Sequence, residues 1–410
     1  MSGGPLAGVR VLDLSRILAG PNCAQLLGDL GAEVIKVEKP GEGDDTRRWG
    51  PPFVRDRHGK PTGESAYYLC ANRNKRSIAV DLSRPEGQSL VRRLAARSDV
   101  LIENYKVGTL GRYGLDYASL HETLPGLIYC SITGFGQTGP YATRSGYDFL
   151  IQGMGGIMSL TGEPDGPPMK TGVGIADVMT GMYAAVAILA ALRHKEHTGE
   201  GQHIDLALFD TQLAWLVNAG TNYLLSGRDQ PRLGNAHPNI VPYEVFPARG
   251  GHFILAVGND GQFRRLCGLL ERPGLADDPR YATNPARLEH RDTLIPLLKD
   301  LTRRRERSHW LGQCEALGIP AGPVNTVSEA FADPQARFRG ARVDLADEEV
   351  EGGSVPLVAN PIRLNATPVT YRRAPPRLGA HSREILAEVL ELPPQEIDAL
   401  IAAGVVAEGA

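Results

Sequence analysis

Val9-Arg-Val-Leu-Asp-Leu14, Cys23-Ala-Gln-Leu-Leu-Gly-Asp-Leu30 and Glu33-Val-Ile-Lys-Val37 follow one another near the start of the chain, and they decide its fold. The first and third are apolar runs of strand length, whereas the second has the apolar spacing of a helix that ends at Gly31. A strand, a helix and a second strand in this order favour two parallel strands joined by a crossover helix.

The same alternation continues through the first half of the chain. Residues 77–82, 100–103 and 127–132 predict short buried strands, and 85–96 predict a helix with proline in its first turn. The predicted fold class is therefore α/β, with a Rossmann-like doubly wound sheet in the large domain.

The sequence changes character near residue 225. Residues 243–257 predict a hairpin that turns at Gly250-Gly251, and helical patterns follow it. We predict a large Rossmann-like domain over 1–225, a smaller inserted α+β domain over 226–334, and a C-terminal segment, 335–410, that returns to the large domain.

Composition limits the possible partners and the compartment. The chain is 42% hydrophobic and 22% charged with a net charge of −3, which offers no basis for binding nucleic acid or a membrane. Five widely spaced cysteines without a C-x-x-C pair favour reduced thiols and no metal site. The N-terminus lacks the basic and apolar regions of a signal peptide. We therefore predict a cytoplasmic protein.

Asp177 opens the most apolar stretch of the chain, residues 172–192, which predicts a helix buried on nearly every side. A carboxylate at that position has two interpretations. It caps the helix through the orphan backbone N–H groups, or the same groups and the helix dipole keep it ionised in a dry site as a nucleophile.

Two further patterns do not support chemistry. Gly134-Phe-Gly-Gln-Thr-Gly139 matches a dinucleotide motif, but Pro140 and a polar loop follow where a helix is required, so we interpret it as a turn near a ligand. His194, His197 and His203 lie on turn-like sequence without a carboxylate at ligand spacing, which favours a solvated turn over a metal site.

Five segments occur together in one order along the chain: Leu12-Asp-Leu-Ser-Arg-Ile-Leu-Ala-Gly-Pro21, Gly31-Ala-Glu-Val-Ile-Lys-Val-Glu-Lys-Pro-Gly41, Asn72-Arg-Asn-Lys-Arg-Ser-Ile-Ala-Val-Asp-Leu82, Glu103-Asn-Tyr-Lys-Val-Gly108 and Gly174-Ile-Ala-Asp177. In this combination the chain resembles the class III CoA-transferases, the family of formyl-CoA transferase, whose sister activity is α-methylacyl-CoA racemase. The resemblance extends over essentially the whole chain.

The resemblance implies ring-shaped subunits that interlock as a homodimer, and coenzyme A as co-substrate. The family's nucleophile falls on Asp177, which would carry an aspartyl anhydride and then an aspartyl–CoA thioester. The implied CoA-binding residues are Arg16, Ile17, Leu18, Ala19, Lys39, Val80, Asp81, Leu82, Ser83, Asn104, Tyr105, Lys106 and Arg112.

Residues 43–53, 131–140 and 240–243 look most like the succinyl-CoA:glutarate type of the family. A dicarboxylate leaves one carboxylate unreacted, and either Arg47 or Arg48 would hold it. The other residues implied on the substrate side are Trp49, Tyr147, Asp148, Gly258, Gly261 and Gln262. Residues 258–262 are either a lid or a strand-to-helix turn capped by Asn259 or Asp260.

Two alternative functions remain at this point. Racemases of the family carry histidine in a Gly-His-Asp motif, and this chain has Gly146-Tyr-Asp148, so a phenol with an ordinary pKa near ~10 replaces the imidazole base. A non-catalytic CoA-binding protein would keep the cations but would not need Asp177. The favoured function is transfer of CoA from an acyl-CoA, such as succinyl-CoA, to a small carboxylic acid. A dicarboxylic acid such as glutarate is the favoured acceptor, and formate, oxalate or a bulky acid is the alternative.

Overall fold

A computed structural model describes residues 3–409. Residues 1–2 of the predicted large domain and residue 410 of the predicted C-terminal segment lie outside the described residues. Its strands are β1 (Arg10–Asp13), β2 (Glu33–Glu38), β3 (Phe53–Arg55), β4 (Pro61–Ser65), β5 (Lys75–Val80), β6 (Val100–Glu103), β7 (Ile128–Thr133), β8 (His203–Ala207), β9 (Tyr243–Ala248), β10 (Gly251–Ala256), β11 (Ala321–Pro323), β12 (Arg342–Ala346), β13 (Ser354–Val358) and β14 (Val406–Ala407).

The helices are α1 (Ala19–Asp29), α2 (Ala66–Leu69), α3 (Pro85–Ala95), α4 (Tyr117–His121), α5 (Asp148–Met154), α6 (Ile157–Leu160), α7 (Ile175–Thr198), α8 (Leu208–Ala214), α9 (Val217–Ser226), α10 (Asp260–Leu269), α11 (Asn284–Glu289), α12 (Arg291–Thr302), α13 (Arg307–Ala316), α14 (Val327–Ala332), α15 (Pro334–Phe338), α16 (Ser382–Glu388) and α17 (Pro394–Ala402). Short 3-10 turns lie at Asp45–Arg48, Leu110–Tyr113, Pro273–Ala276 and Glu351–Gly353.

The main sheet has seven strands in the order β14-β5-β2-β1-β6-β7-β8, and all neighbours are parallel except β14, which runs antiparallel to β5. The six parallel strands, numbered along the chain, have the order 3-2-1-4-5-6 of a Rossmann-like fold. The predicted parallel α/β sheet is confirmed. Its apolar strands are buried on both faces, because one core packs under α3 and α16 and another under α1 and α7.

Two strands of this sheet were not predicted. Residues around His203 do not form a solvated turn, because His203 begins β8 and its Nε2 lies 3.0 Å from Ser131 Oγ. His194 and His197 belong to the end of α7. The edge strand β14 comes from the C-terminal segment.

The described chain divides into two compact units. One takes the chain up to Ile157, Thr171–Thr221 and the chain from Arg337 onward, and the other takes Met158–Lys170 and Asn222–Ala336. The sequence analysis assigned 158–170 to the large domain, so the bounds differ there. The second unit has an antiparallel sheet, β11-β10-β9, and its β9–β10 hairpin turns at Arg249-Gly250, next to the predicted position.

Helix α7 differs from its prediction. Ala184 and Ile188 are fully buried, but Val186 is 63% exposed and Met182, Tyr183 and Leu189 are also exposed. By length and composition alone α7 could span a membrane, whereas in the structure it packs against α1, α5 and α8. The prediction of burial on nearly every side is wrong for a single chain, since only one face of α7 is covered.

Candidate functional site

The strand order places a crevice at the carboxyl ends of β1 and β6. From β1 the chain crosses to β2 on one side, and from β6 it crosses to β7 on the other side. Ligands of open α/β sheets bind at such a switch point. Two predicted segments, 16–19 and 104–106, directly follow these strand ends. The fold therefore brings together residues that are far apart in the sequence.

A first cavity of about 150 Å³ lies at this crevice. The predicted residues that line it are Arg16, Ile17, Leu18, Ala19, Asn104, Tyr105, Lys106, Tyr147 and Asp177. Residues that the sequence analysis did not name also line it, among them Thr133, Arg144, Ser145 and Leu208. Gly134 of the dinucleotide-like motif lines it too, and no helix begins within 134–139.

A glycine pair holds the loop before α5 close to the end of β7. A Cβ placed on Gly134 would come within 2.6 Å of Gly146 Cα, and one on Gly146 within 2.4 Å of Gly134 Cα. Because real Cβ atoms do not approach backbone so closely, this contact requires glycine on both sides. It positions Tyr147 at the cavity and, directly after it, Asp148 at the start of α5.

Asp177 is the third residue of α7, and Gly174 is the residue before the helix. The interpretation of Asp177 as the helix cap is therefore wrong. Asp148 Oδ1 instead accepts hydrogen bonds from the backbone N–H groups of Ala176, at 2.8 Å, and Asp177, at 3.4 Å. The helix N-terminus is satisfied by Asp148, and the Asp177 carboxyl group lines the cavity.

The charge state of Asp177 follows from this arrangement. Burial first, and then the negative charge of Asp148, raise the pKa of Asp177 to about 7. The expectation that the helix keeps Asp177 ionised is therefore not met, because burial and the charge of Asp148 both disfavour the negative charge. When it is ionised, a carboxylate whose negative charge is so little stabilised is a better nucleophile than one that is bound by cations.

Gln152 fixes the position of Asp148. Its side chain is fully buried, and its Nε2 donates to Asp148 Oδ2 at 2.7 Å. Its Oε1 accepts from the backbone N–H of Thr171 at 2.9 Å. One amide therefore ties Asp148 to the segment that leads into α7.

Tyr67 of α2, which the sequence analysis did not name, lines neither cavity but lies near enough to Asp177 to be affected by its charge. Its ring stands edge-on to that of Trp49, with centroids 5.2 Å apart. Burial, followed by the charge of Asp177, raises the pKa of Tyr67 to about 12, so its hydroxyl stays protonated. Trp49 was predicted, but Tyr67 carried no spacing signal in the sequence.

A second cavity of about 440 Å³ is lined by Arg16 and Tyr105, which also line the first cavity. The other predicted residues in its lining are Lys39, Val80, Asp81, Leu82 and Ser83. Lys39 Nζ pairs with Glu42 at 2.6 Å in an exposed ion pair, and Asp81 accepts hydrogen bonds from Ser83. Arg112 is exposed and lines neither cavity, although its neighbour Tyr113 lines the second.

The structure corrects the predicted role of Arg47. It is 4% exposed, and its guanidinium donates to both carboxylate oxygens of Glu38, at 2.9 and 2.7 Å, and to Glu64 at 3.1 Å. It also lies 3.8 Å from the centroid of the Tyr68 ring. Arg47 is therefore committed to the protein interior and is not placed to hold a substrate carboxylate. Arg48 is exposed and pairs with no carboxylate among residues 3–409.

Residues 258–262 lie in the second unit and form a capped turn. Asn259 Oδ1 accepts from the Gln262 backbone N–H at 2.9 Å, and Gln262 Oε1 accepts from the Gly258 backbone N–H at 2.7 Å. Asn259 is thus the cap of α10, and Gly261 lies in its first turn. A role for this turn as a lid stays a prediction.

Comparison with known proteins gives one consistent result. The sequence model of CoA-transferase family III matches residues 6–382. A succinate–glutarate CoA-transferase of Agrobacterium fabrum is 56% identical over 94% of this chain and 96% of that protein, and the human succinyl-CoA:glutarate CoA-transferase is 44% identical over 98% and 90%. A crystal structure of a CAIB/BAIF family protein from Brucella suis is 52% identical, with a TM-score of 0.84 over 94% of this chain and 100% of that one.

Proposed function

The chain belongs to CoA-transferase family III and is a CoA-transferase, and from that premise we propose that it moves CoA from succinyl-CoA to glutarate through Asp177. The observation that carries the proposal is the position of Asp177. Its carboxyl group lines the cavity at the switch point of the sheet and has no cationic partner among residues 3–409.

The proposed reaction proceeds by exchange at Asp177. Its carboxylate attacks the thioester carbonyl of succinyl-CoA, the C–S bond breaks, and an aspartyl–succinyl anhydride and CoA thiolate result. The thiolate attacks the aspartyl carbonyl, which releases succinate and leaves an aspartyl–CoA thioester. Glutarate attacks that thioester to give an aspartyl–glutaryl anhydride, and the thiolate takes the glutaryl group. Glutaryl-CoA leaves and Asp177 is regenerated.

The two cavities divide the proposed CoA site. The second, with Lys39 and residues 80–83, would hold the nucleotide part, and the first, with 104–106, would hold the pantetheine and acyl end. Lys39 pairs with Glu42 in an exposed position, where such a pair contributes little, so a phosphate can replace the carboxylate. Arg112 is a further phosphate ligand only if it moves toward the second cavity.

The distal carboxylate of a dicarboxylate needs a different arginine from Arg47. Arg48 remains a candidate, and Arg144 is supported more directly because it lines the same cavity as Asp177. The Arg144 guanidinium lies 4.5 Å from the Tyr141 ring centroid and pairs with no carboxylate in the described chain.

This assignment predicts a selective loss. Replacing Arg144 with Ala should raise the KM for glutarate roughly tenfold, since a charge-assisted pair contributes about 1.5–3 kcal/mol. The KM for butyrate, which has no second carboxylate, should hardly change. Arg48→Ala tests the other candidate in the same assay with succinyl-CoA as donor, and it should leave both KM values near those of the wild type if Arg144 holds the distal carboxylate. Equal losses for both acids in Arg144→Ala would contradict the assignment.

The covalent route has its own test. Wild-type enzyme incubated with succinyl-CoA and quenched with hydroxylamine should yield a hydroxamate at Asp177, located by mass spectrometry. The Asp177→Asn variant is the control and should give none. A wild-type enzyme that turns over without any trapped adduct would contradict the aspartyl intermediates, as would hydrogen exchange at the α-carbon without CoA transfer.

We further propose a homodimer of interlocked ring-shaped subunits in a reducing cytoplasm. The exposed apolar face of α7 and the exposed Leu224 and Leu225 of α9, at 80% and 85%, support burial against a second copy. The five unpaired cysteines support the reducing compartment. If the rings interlock, two differently tagged dimers mixed after folding should form no heterodimer, and rapid subunit exchange would contradict the topology.

A further inference from the structure

Ile17 has an unfavourable backbone conformation at the centre of the proposed site. Its φ is 74°, in the left-handed region, which a β-branched residue rarely occupies because its Cβ approaches the carbonyl oxygen. Such strain persists only where the surroundings enforce it, and it is concentrated at ligand-binding segments. Ile17 lines the first cavity beside Asp177.

A buried ion pair enforces this conformation. The Ile17 backbone N–H is shared between both carboxylate oxygens of Asp44, at 3.2 Å each. Lys36 Nζ donates to Asp44 Oδ2 at 3.0 Å and to the Ser15 carbonyl oxygen at 2.9 Å. Both charged side chains are fully buried, so solvent does not compete for these contacts.

Two further groups complete the arrangement. Thr46 donates its backbone N–H and its hydroxyl to Asp44 Oδ1, at 3.0 and 2.8 Å, which fixes the carboxylate. Asn104 accepts from the Arg16 backbone N–H at 2.9 Å and donates to the Arg16 carbonyl oxygen at 2.7 Å. The backbone of residues 15–17 is therefore held at each residue by a side chain from elsewhere in the fold.

We propose that Lys36 and Asp44 are positioning residues that hold the strained Ile17 peptide, and so preorganise segment 16–19 to receive the CoA thioester. The proposal rests on the proposed CoA site. Without Asp44 the Ile17 peptide would relax to a favourable φ, and CoA would bind only the fraction of molecules that retain the strained form. The apparent Kd rises by the inverse of that fraction.

The test is CoA binding by calorimetry to the full-length enzyme. Asp44→Asn should weaken binding about tenfold, equivalent to about 1.4 kcal/mol. Thr46→Val is isosteric and removes only the hydroxyl bond to Asp44, so it should weaken binding by a smaller factor and keeps the test usable if Asp44→Asn does not fold. The matched control is Asp29→Asn, which breaks the nearly as buried Arg73–Asp29 pair. Neither Arg73 nor Asp29 lines the two cavities, whereas Asp44 lines the second, so the glycine substitution below separates positioning from direct contact with CoA.

A second substitution separates positioning from general stability. Glycine adopts positive φ without strain, so position 17 no longer needs Asp44 to hold it there. In a protein that carries Ile17→Gly, the further change Asp44→Asn should therefore cost much less CoA affinity than it does in the wild type. The proposal is overturned if Asp44→Asn and Asp29→Asn lower the melting temperature by the same amount and change the Kd for CoA by the same factor. It is also overturned if Asp44→Asn costs as much CoA affinity in the Ile17→Gly protein as in the wild type. A wild-type enzyme that does not bind CoA would instead overturn the proposed function.

Discussion

Asp177 and Asp44 both belong to the crevice, yet their surroundings are opposite. Asp177 has Asp148 beside it and no cationic partner in the described chain, and its pKa rises to about 7. Burial would also raise the pKa of Asp44, but Lys36 and the Thr46 hydrogen bonds outweigh burial and lower it to about 2. The same side chain is thus poorly stabilised as an anion in one place and a fixed structural anion in the other, because its neighbours differ.

Removing the Asp177 carboxylate should have the largest effect. Asp177→Asn keeps the shape but cannot form the anhydride, so kcat for CoA transfer should fall by roughly a thousandfold or more. CoA affinity should stay near that of the wild type. Retention of more than a few per cent of wild-type turnover would mean that Asp177 is not the nucleophile.

Replacing Asp44 should lower the stability of the protein. Asp44→Asn removes the hydrogen-bonded counter-ion of the buried Lys36 ammonium and leaves Asp13 and Glu38 as the other anions that act on it. This should lower the free energy of unfolding by about 3 kcal/mol. The double variant Lys36→Met with Asp44→Leu removes both charges and should lose less. Urea denaturation of the two variants checks this, and a double variant less stable than the single one would show that the pair contributes packing rather than charge balance.

The smallest effect concerns pH. Transfer needs ionised Asp177, so activity should rise as pH increases through about 7. Asp148→Asn still caps α7 but removes the negative charge, so the midpoint should move to lower pH by about half a unit or more. The pH profile of kcat/KM measures this, with Gln152→Glu, which adds a charge next to Asp148, as the opposite case. An unchanged midpoint in Asp148→Asn would mean that burial alone sets the pKa.

Local sequence predicted the parallel sheet well, because apolar runs such as those of β6 and β7 are buried on both faces and can be recognised without knowing their neighbours. The prediction failed where a strand contains a buried charged residue, or where its partner strand is distant in the sequence. β5 begins at Lys75, whose ammonium is buried against Asp13, so a charged residue marks the start of a buried strand. The short strand β14 pairs with β5 only through tertiary contacts.

At the site, the resemblance to a family supplied Asp177 and the CoA-binding segments, and the fold brings most of these around two cavities. The partner of each charge could not be read from the sequence. Arg47 is neutralised by Glu38 and covered by Tyr68, and no spacing rule joins these three residues. Arg144 and Tyr67 were missed because a polar loop and a pair of tyrosines carry no signal until the chain is folded.

The pairing of Val406 with Val80 also bears on how the protein is made. Strand β14 is made long after β5, so the edge of the sheet beside β5 stays open during synthesis until residues 406–407 have been made. A truncation that removes residues 406–407 would act on this late step. If two copies thread through one another as proposed, their assembly has to be compatible with this late addition of β14, so it would depend on the timing of folding as well as on affinity.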